Sequence, residues 1–146
     1  MSPSSSPRVI QVGLAGLGNV GAGVYKNLEK NRALITQRTG ADIRVAKVAV
    51  RDLKRKRDVE VPDALLTTSW QDLVNDASIP VIVELIGGTT TAYDMVCAAL
   101  RAKKIVVTGN KALLAERGQE LFVLAEQCGV PIYFVAAVVG GIPIIQ

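Results

Sequence analysis

The most constraining stretch of the chain is Val9 to Gly21. An apolar run, Val9-Ile10-Gln11-Val12-Gly13-Leu14-Ala15, meets three glycines spaced Gly16-x-Gly18-x-x-Gly21. Beyond them apolar side chains recur at helical spacing, at Val20, Val24, Leu28 and Ile35. A strand, a glycine turn and a helix in that order form the context in which the spacing means dinucleotide binding. Gly16 permits a tight turn, Gly18 lets backbone approach a pyrophosphate, and Gly21 lets the helix lie close on the strand. The helix then offers unpaired N–H groups and the positive end of its dipole to the phosphates. An ordinary βα turn does not require three glycines at this spacing.

The rest of the chain repeats the alternation. A helix is predicted from Asn19 to about Arg38, stopped by Gly40, with Lys26, Glu29, Lys30 and Arg38 outside. Ile43–Val50 reads as a second strand, and Leu65–Thr68 as a short third. Ser69-Trp70-Gln71-Asp72 has the pattern of a capping box opening a short helix. Val81–Ile86 is β-branched and closed by Gly87-Gly88, and Thr89 or Thr90 is a cap for a helix with Met95, Val96, Ala99 and Leu100 inward. Ile105–Val107 is the next strand. Asn110–Cys128 is a helix with Leu114, Gly118, Leu121, Ala125 and Cys128 inward, and Pro131–Ala136 is a last strand. No repeat or internal linker interrupts this order. The reading is an α/β fold: a doubly wound, Rossmann-type parallel sheet of about six strands over residues 8–146. Residues 1–7, MSPSSSP, form a Ser/Pro-rich tail with no apolar segment and are expected to be disordered.

At 146 residues the chain is long enough to bury ~70% of its unfolded surface in one domain. No apolar run approaches the ~20 residues of a membrane span and no signal-peptide core is visible, so a cytoplasmic protein is expected. Histidine is absent, which removes Ser-His and Cys-His nucleophiles and the usual zinc sites. Cys97 and Cys128 each fall on an apolar helix face and read as free thiols. Much of the net charge of +4 lies in Arg51-Asp52-Leu53-Lys54-Arg55-Lys56-Arg57. With aromatics at 4% and no nucleic-acid-binding motif, that run reads as a solvated loop, and neither nucleic acid nor membrane is an expected partner.

In a doubly wound sheet ligands sit outside the carboxyl ends of the strands. That places chemistry at Gly16–Gly21, Arg51, Gly87–Thr90, Thr108–Lys111 and Ala136–Pro143. An acid at the end of the second strand would bind the ribose hydroxyls of NAD, whereas an arginine suits the 2′-phosphate of NADP. Asp42 lies at the wrong end of that strand, and the first residue past it is Arg51. Arg51 is thus either an NADP determinant or part of an exposed charged loop. Lys111, after a strand end, either polarises a substrate carbonyl or is a surface lysine. Glu84, inside an apolar strand, lies near the crevice or pairs with another group.

The assembly AGLGNVG at 15–21, AVRD at 49–52, IVELIGG-T at 82–89, VTGNKALLAERGQELFVLAEQCGV at 107–130 and VGGIPII at 139–145 resembles homoserine dehydrogenase. The resemblance runs from Arg8 to Gln146 in the family's order. It implies NAD(P)-dependent interconversion of aspartate 4-semialdehyde and homoserine, on the way to threonine and methionine, with NADPH preferred. It implies that Leu17, Gly18, Asn19 and Val20 contact the pyrophosphate, with Gly16 and Gly21 shaping the turn. Arg51 would lie at the adenosine ribose, and Gly88, Thr89 and Thr90 by the nicotinamide ribose. Lys111 would stand beside nicotinamide and substrate as the catalytic group. A sodium ion near the GGIP turn would be held by backbone carbonyls of Val135, Val138, Gly140 and Ile142. The sequence departs from the family pattern at Val135, where Glu is usual, at Val139, where a small residue is usual, and at Thr91, which replaces a helix-starting Pro. The family continues into a second domain with most substrate contacts and the dimer interface. The chain is accordingly expected to be the cofactor-binding half of a homodimeric enzyme. A stand-alone NADP-binding module, or the cofactor domain of another amino-acid dehydrogenase, are the alternatives.

Overall fold

The structure, a computed structural model, describes residues 8–54, 59–136 and 144–145, with side chains described at 8–54 and 59–135. The predicted tail at 1–7 lies outside these residues. Strand β1 (Arg8–Ala15) is flanked on one side by β2 (Ala41–Ala49) and then β3 (Leu66–Thr67). On its other side come β4 (Val81–Glu84), β5 (Ile105–Thr108) and β6 (Ile132–Ala136). These six are parallel, as the sequence predicts. A seventh strand, β7 (Ile144–Ile145), pairs antiparallel with β6 and extends that edge; the sequence reading ended the sheet at β6.

The chain reverses direction in the sheet at β1, and this sets which face each helix covers. Helices α1 (Asn19–Lys30) and α2 (Arg32–Thr39) join β1 to β2, moving one way across the sheet. Helices α3 (Gln71–Asn75), α4 (Thr90–Arg101) and α5 (Lys111–Cys128) join β3 through to β6, moving the other way. Right-handed crossovers therefore put the two groups on opposite faces. Two cores result. Leu14, Leu17, Tyr25, Val45 and Val48 pack on the α1 side. Ala15, Leu73, Ile82, Met95, Val96, Leu100, Val106, Leu113 and Leu121 pack on the other. Leu14 and Ala15 are neighbours that serve different cores because successive strand side chains point to opposite faces.

Several local expectations give way to tertiary contacts. The predicted single helix at 19–38 breaks at Asn31, whose N–H closes α1 on Asn27 O while its carbonyl accepts from Ile35 N–H to open α2. Gly40 ends α2 in the left-handed region at φ 77°, as predicted. Val20 is exposed, and the inner stripe of α1 is Gly21, Ala22 and Tyr25, backed by half-buried Val24 and Leu28. Gly21 sets this rotation: a Cβ there would lie 2.1 Å from Gly16 O. In α5 the buried leucine of the first turn is Leu113, not Leu114, because the Asn110 side chain accepts from Leu113 N–H and turns that residue inward. The capping box at Ser69 does not form. Trp70 takes the cap position, the Asp72 carboxylate accepts from the Thr67 hydroxyl, and the Ser69 hydroxyl bonds Gln71. Thr89 is the N-cap residue of α4, without a side-chain cap bond.

The end of the sheet opposite the glycine turn is built for stability. Asp42 is clamped by Arg32 at 2.8 Å and Arg44 at 2.9 Å, and the Arg32 hydrogen bond above all holds its carboxyl down at about 2. Lys104 is buried, its Nζ donating to the carbonyls of Asp76 and Ile79. No helix among the described residues is long and apolar enough to cross a membrane.

Candidate functional site

The crevice opens where the strand order reverses, outside the carboxyl ends of β1, β2, β4 and β5. Gly16 leaves β1 at φ 107°, a conformation that side chains rarely adopt, and its N–H donates to Ala49 O at 2.9 Å. A Cβ at Gly16 would meet Leu85 O at 2.6 Å, so the turn lies directly on the backbone leaving β4. Gly16 and Gly21 are thus required by close approach between protein segments. Gly18 is different: apart from its chain neighbours, no atom of the described residues lies within 4 Å of the position of its Cβ. The space that Gly18 leaves open faces away from the protein, where a ligand would come.

Helix α1 begins beside that space. Its first intrahelical bond runs from Ala22 N–H to Gly18 O at 2.7 Å, which leaves the N–H groups of Asn19, Val20 and Gly21 ahead of the ladder. No side chain caps them and no acid occupies the first turn. Such an end attracts an anion. The predicted residues Gly16, Leu17, Gly18, Asn19, Val20 and Gly21 therefore form one continuous stretch, with Leu17 and Gly21 buried and Gly18, Asn19 and Val20 exposed.

On the β2 side, Arg51 lies two residues past the strand end at Ala49. Its side chain is exposed and makes no hydrogen bond or ion pair to another described residue. The β2–β3 connection also lines a cavity of about 530 Å³ that the sequence does not announce. Leu17, Leu53, Val59, Val61 and Leu66 give it apolar walls, and Glu60 and Asp63 also line it. Its walls come from the glycine turn and from the β2–β3 connection, whose irregular sequence carries no periodic signal. Residues 55–57 of the basic run fall outside the described residues.

On the β4 side, Gly87 and Gly88 turn the chain at φ 85° and 70°, and deliver half-buried Thr89 and exposed Thr90 to the start of α4. Lys111 begins α5, exposed and with no partner among the described residues. A lysine in the first turn opposes the helix dipole, at a cost of about 0.3–1 kcal/mol. An unpaired cation in an unfavourable place is what a crevice group for a carbonyl oxygen or an anion would look like.

Between these two turns lies a buried polar network that the sequence reading only touched. Glu84, which it left either near the crevice or paired, is fully buried at the end of β4. Its carboxylate accepts from the Thr108 hydroxyl, from Ile86 N–H at 2.9 Å and from Asn110 Nδ2 at 3.5 Å. The sequence places the stretch Thr108–Lys111 at the crevice but assigns Thr108 and Asn110 no individual role. Asn in front of a helical pattern was the one available signal, as an N-cap.

Of the proposed sodium ligands, Val138, Gly140 and Ile142 lie outside the described residues, as does Val139. Val135 sits in β6 opposite Ile145 and brings no side-chain oxygen. Among the described residues no cluster of acids or cysteines could hold a metal ion. Cys97 and Cys128 are free thiols, the first buried and the second half-buried.

Comparison with known proteins agrees with this geometry. Residues 16–135 match the family described as homoserine dehydrogenase, NAD binding domain. The homoserine dehydrogenase of Bacillus subtilis is 42% identical over 139 residues, covering 95% of this chain and 32% of that protein. The Pseudomonas aeruginosa enzyme is 43% identical over 94% of this chain and 31% of its own length. A crystal structure of S. aureus homoserine dehydrogenase superposes with a TM-score of 0.82 at 38% identity, over 87% of this chain and 33% of that one. The chain thus spans about a third of the length of these relatives. With an open glycine turn at the sheet's reversal and this likeness over nearly all its length, the chain belongs to the homoserine dehydrogenase family, as its NAD-binding domain.

Proposed function

We propose that this chain supplies the nicotinamide-nucleotide site of an enzyme that interconverts aspartate 4-semialdehyde and homoserine, with NADPH preferred. The observation that carries the reading is the open space at Gly18 in front of the uncapped start of α1. A turn without a side chain, before an uncapped helix start with no acid in its first turn, suits the negative charge of a pyrophosphate. The adenosine end then falls on the β2 side, with Leu17 and Leu66 as apolar walls of the cavity and Arg51 for a 2′-phosphate. The nicotinamide end falls on the β4 side, at Gly88, Thr89, Thr90 and Lys111. When bound, the nicotinamide carries the hydride.

The chain's own part is to bind, orient and move a proton. Lys111 would stand at the aldehyde oxygen, hydrogen-bonding it as negative charge develops and supplying the proton. Val135 has no side-chain oxygen for a cation. A second reading, NAD in place of NADP, is favoured by Glu60 and Asp63, because carboxylates at the adenosine end suit free ribose hydroxyls. Calorimetric titration of the purified chain with NADPH and with NADH separates the two. Hydride transfer also needs the aldehyde gripped in near-attack geometry, worth ~7–11 kcal/mol. Among the described residues Lys111 is the candidate donor and few others could grip the substrate, so the 146-residue chain should bind NADPH without oxidising it when aspartate 4-semialdehyde is added. Aldehyde-dependent loss of nicotinamide absorbance, abolished by Lys111→Ala, would mean that Lys111 and the described crevice suffice.

A further inference from the structure

We propose that Glu84 is a positioning residue for the nicotinamide half of the crevice. Its buried carboxylate ties the turn after β4 to the turn after β5. The inference rests on the cofactor reading above and adds to it a residue that touches no ligand.

The argument begins with where the carboxylate lies. Glu84 ends a central strand at 0% exposure, in register with Ala15 on β1 and Thr108 on β5. A hydrocarbon would pack there at less cost, because a buried carboxylate must be matched by donors. Among the described residues no lysine or arginine bonds to it. Its partners are neutral, and they come from the turn after β4 and from the end of β5 and the start of α5. Oε1 accepts from the Thr108 hydroxyl, which in turn accepts from Asn110 N–H at 3.1 Å. Oε2 accepts from Ile86 N–H, immediately before the two left-handed glycines, and from Asn110 Nδ2.

Asn110 completes the link. Its Nδ2 also donates to Gly88 O at 2.6 Å, and its Oδ1 accepts from Leu113 N–H at 3.0 Å. One side chain thereby joins the Gly87–Gly88 turn, the acid of β4 and the first turn of α5. The residues set in place on either side are Thr89 and Thr90, and Lys111. No member of the network lies on the β2 side of the glycine turn. Loosening it should therefore disturb one end of a bound dinucleotide and spare the other.

The test uses two ligands that share the adenosine end, NADPH and adenosine 2′,5′-bisphosphate, titrated into the chain and into Glu84→Gln. The glutamine keeps the shape and turns one acceptor oxygen into a donor. NADPH binding should weaken about tenfold, the loss of one hydrogen bond's worth of order, while the bisphosphate changes by less than about twofold. Thr108→Val removes the hydroxyl at the other end of the same bond and should give the same split; it carries the test if Glu84→Gln does not fold. Equal weakening of both ligands would make Glu84 a mere support of the fold and overturn the proposal, as would unchanged binding of both. A wild-type chain that binds neither ligand would overturn this proposal together with the cofactor reading. A wild-type chain that binds both, with variants that lose them equally, would overturn this proposal alone.

Discussion

Replacing Gly18 with valine separates binding from folding more cleanly than any other change in the crevice. Gly18 has φ −76° and ψ −159°, extended backbone that a β-branched residue accepts, and its Cβ position is empty to 4 Å. Among the described residues nothing beyond its chain neighbours meets a Cβ there, so stability should stay within about 0.5 kcal/mol of wild type. On a domain of this size that is a shift of ~1–3 °C in the unfolding midpoint. The same side chain stands in front of the N–H groups of Asn19 and Val20. Losing two charge-assisted hydrogen bonds at ~1.5–3 kcal/mol each is a loss of at least about hundredfold in NADPH affinity. Gly21→Ala is the contrasting case. Its Cβ would lie 2.1 Å from Gly16 O, and overpacking of that kind costs about 1–3 kcal/mol, so here the midpoint falls before any ligand is added. Calorimetric titration and a thermal melt of each variant supply both numbers. The reasoning is refuted if Gly18→Val still binds NADPH, because the pyrophosphate would then lie elsewhere, or if it melts as early as Gly21→Ala.

Two further outcomes are expected. Arg51→Ala should weaken NADPH about ten- to hundredfold and leave NADH nearly unchanged, since one charged hydrogen bond to the 2′-phosphate is at stake; equal losses in parallel titrations would rule out that pairing. The Asp42 carboxyl, lowered from 3.8 to about 2 chiefly by its hydrogen bond from Arg32, contributes stability that is complete above its unfolded value and lost as pH falls toward 2. Asp42→Asn should therefore be less stable than wild type at neutral pH, with the gap closing between pH 4 and 2 in thermal melts; a gap independent of pH would show that the ion pairs contribute nothing.

The amino-acid sequence by itself determined whatever depends on residues close along the chain. The apolar run before Gly16 and the glycine spacing announce β1, the turn and α1 because these follow one another along the chain, and the approach of Gly21 to Gly16 lies within that unit. Gly40 and Gly129 end their helices at φ 77° and 72°, which only their lack of a side chain makes inexpensive. The alternation of strands and helices implied the parallel sheet, and so placed Arg51, Thr89 and Lys111 at one edge of it. Tertiary structure decided what depends on distant partners. Helical periodicity places Val20 or Leu114 inside as readily as their neighbours; contact between Gly21 and Gly16, and the bond from Leu113 to Asn110, chose the rotation. The pairing of β7 with β6 needs a partner strand that two residues cannot announce. Glu84 was visible in the sequence as a misplaced acid, but its meaning lay 24 residues away at Thr108 and 26 away at Asn110. A buried charge is interpretable only through the donors that surround it, and those donors meet only when β4 and β5 lie side by side.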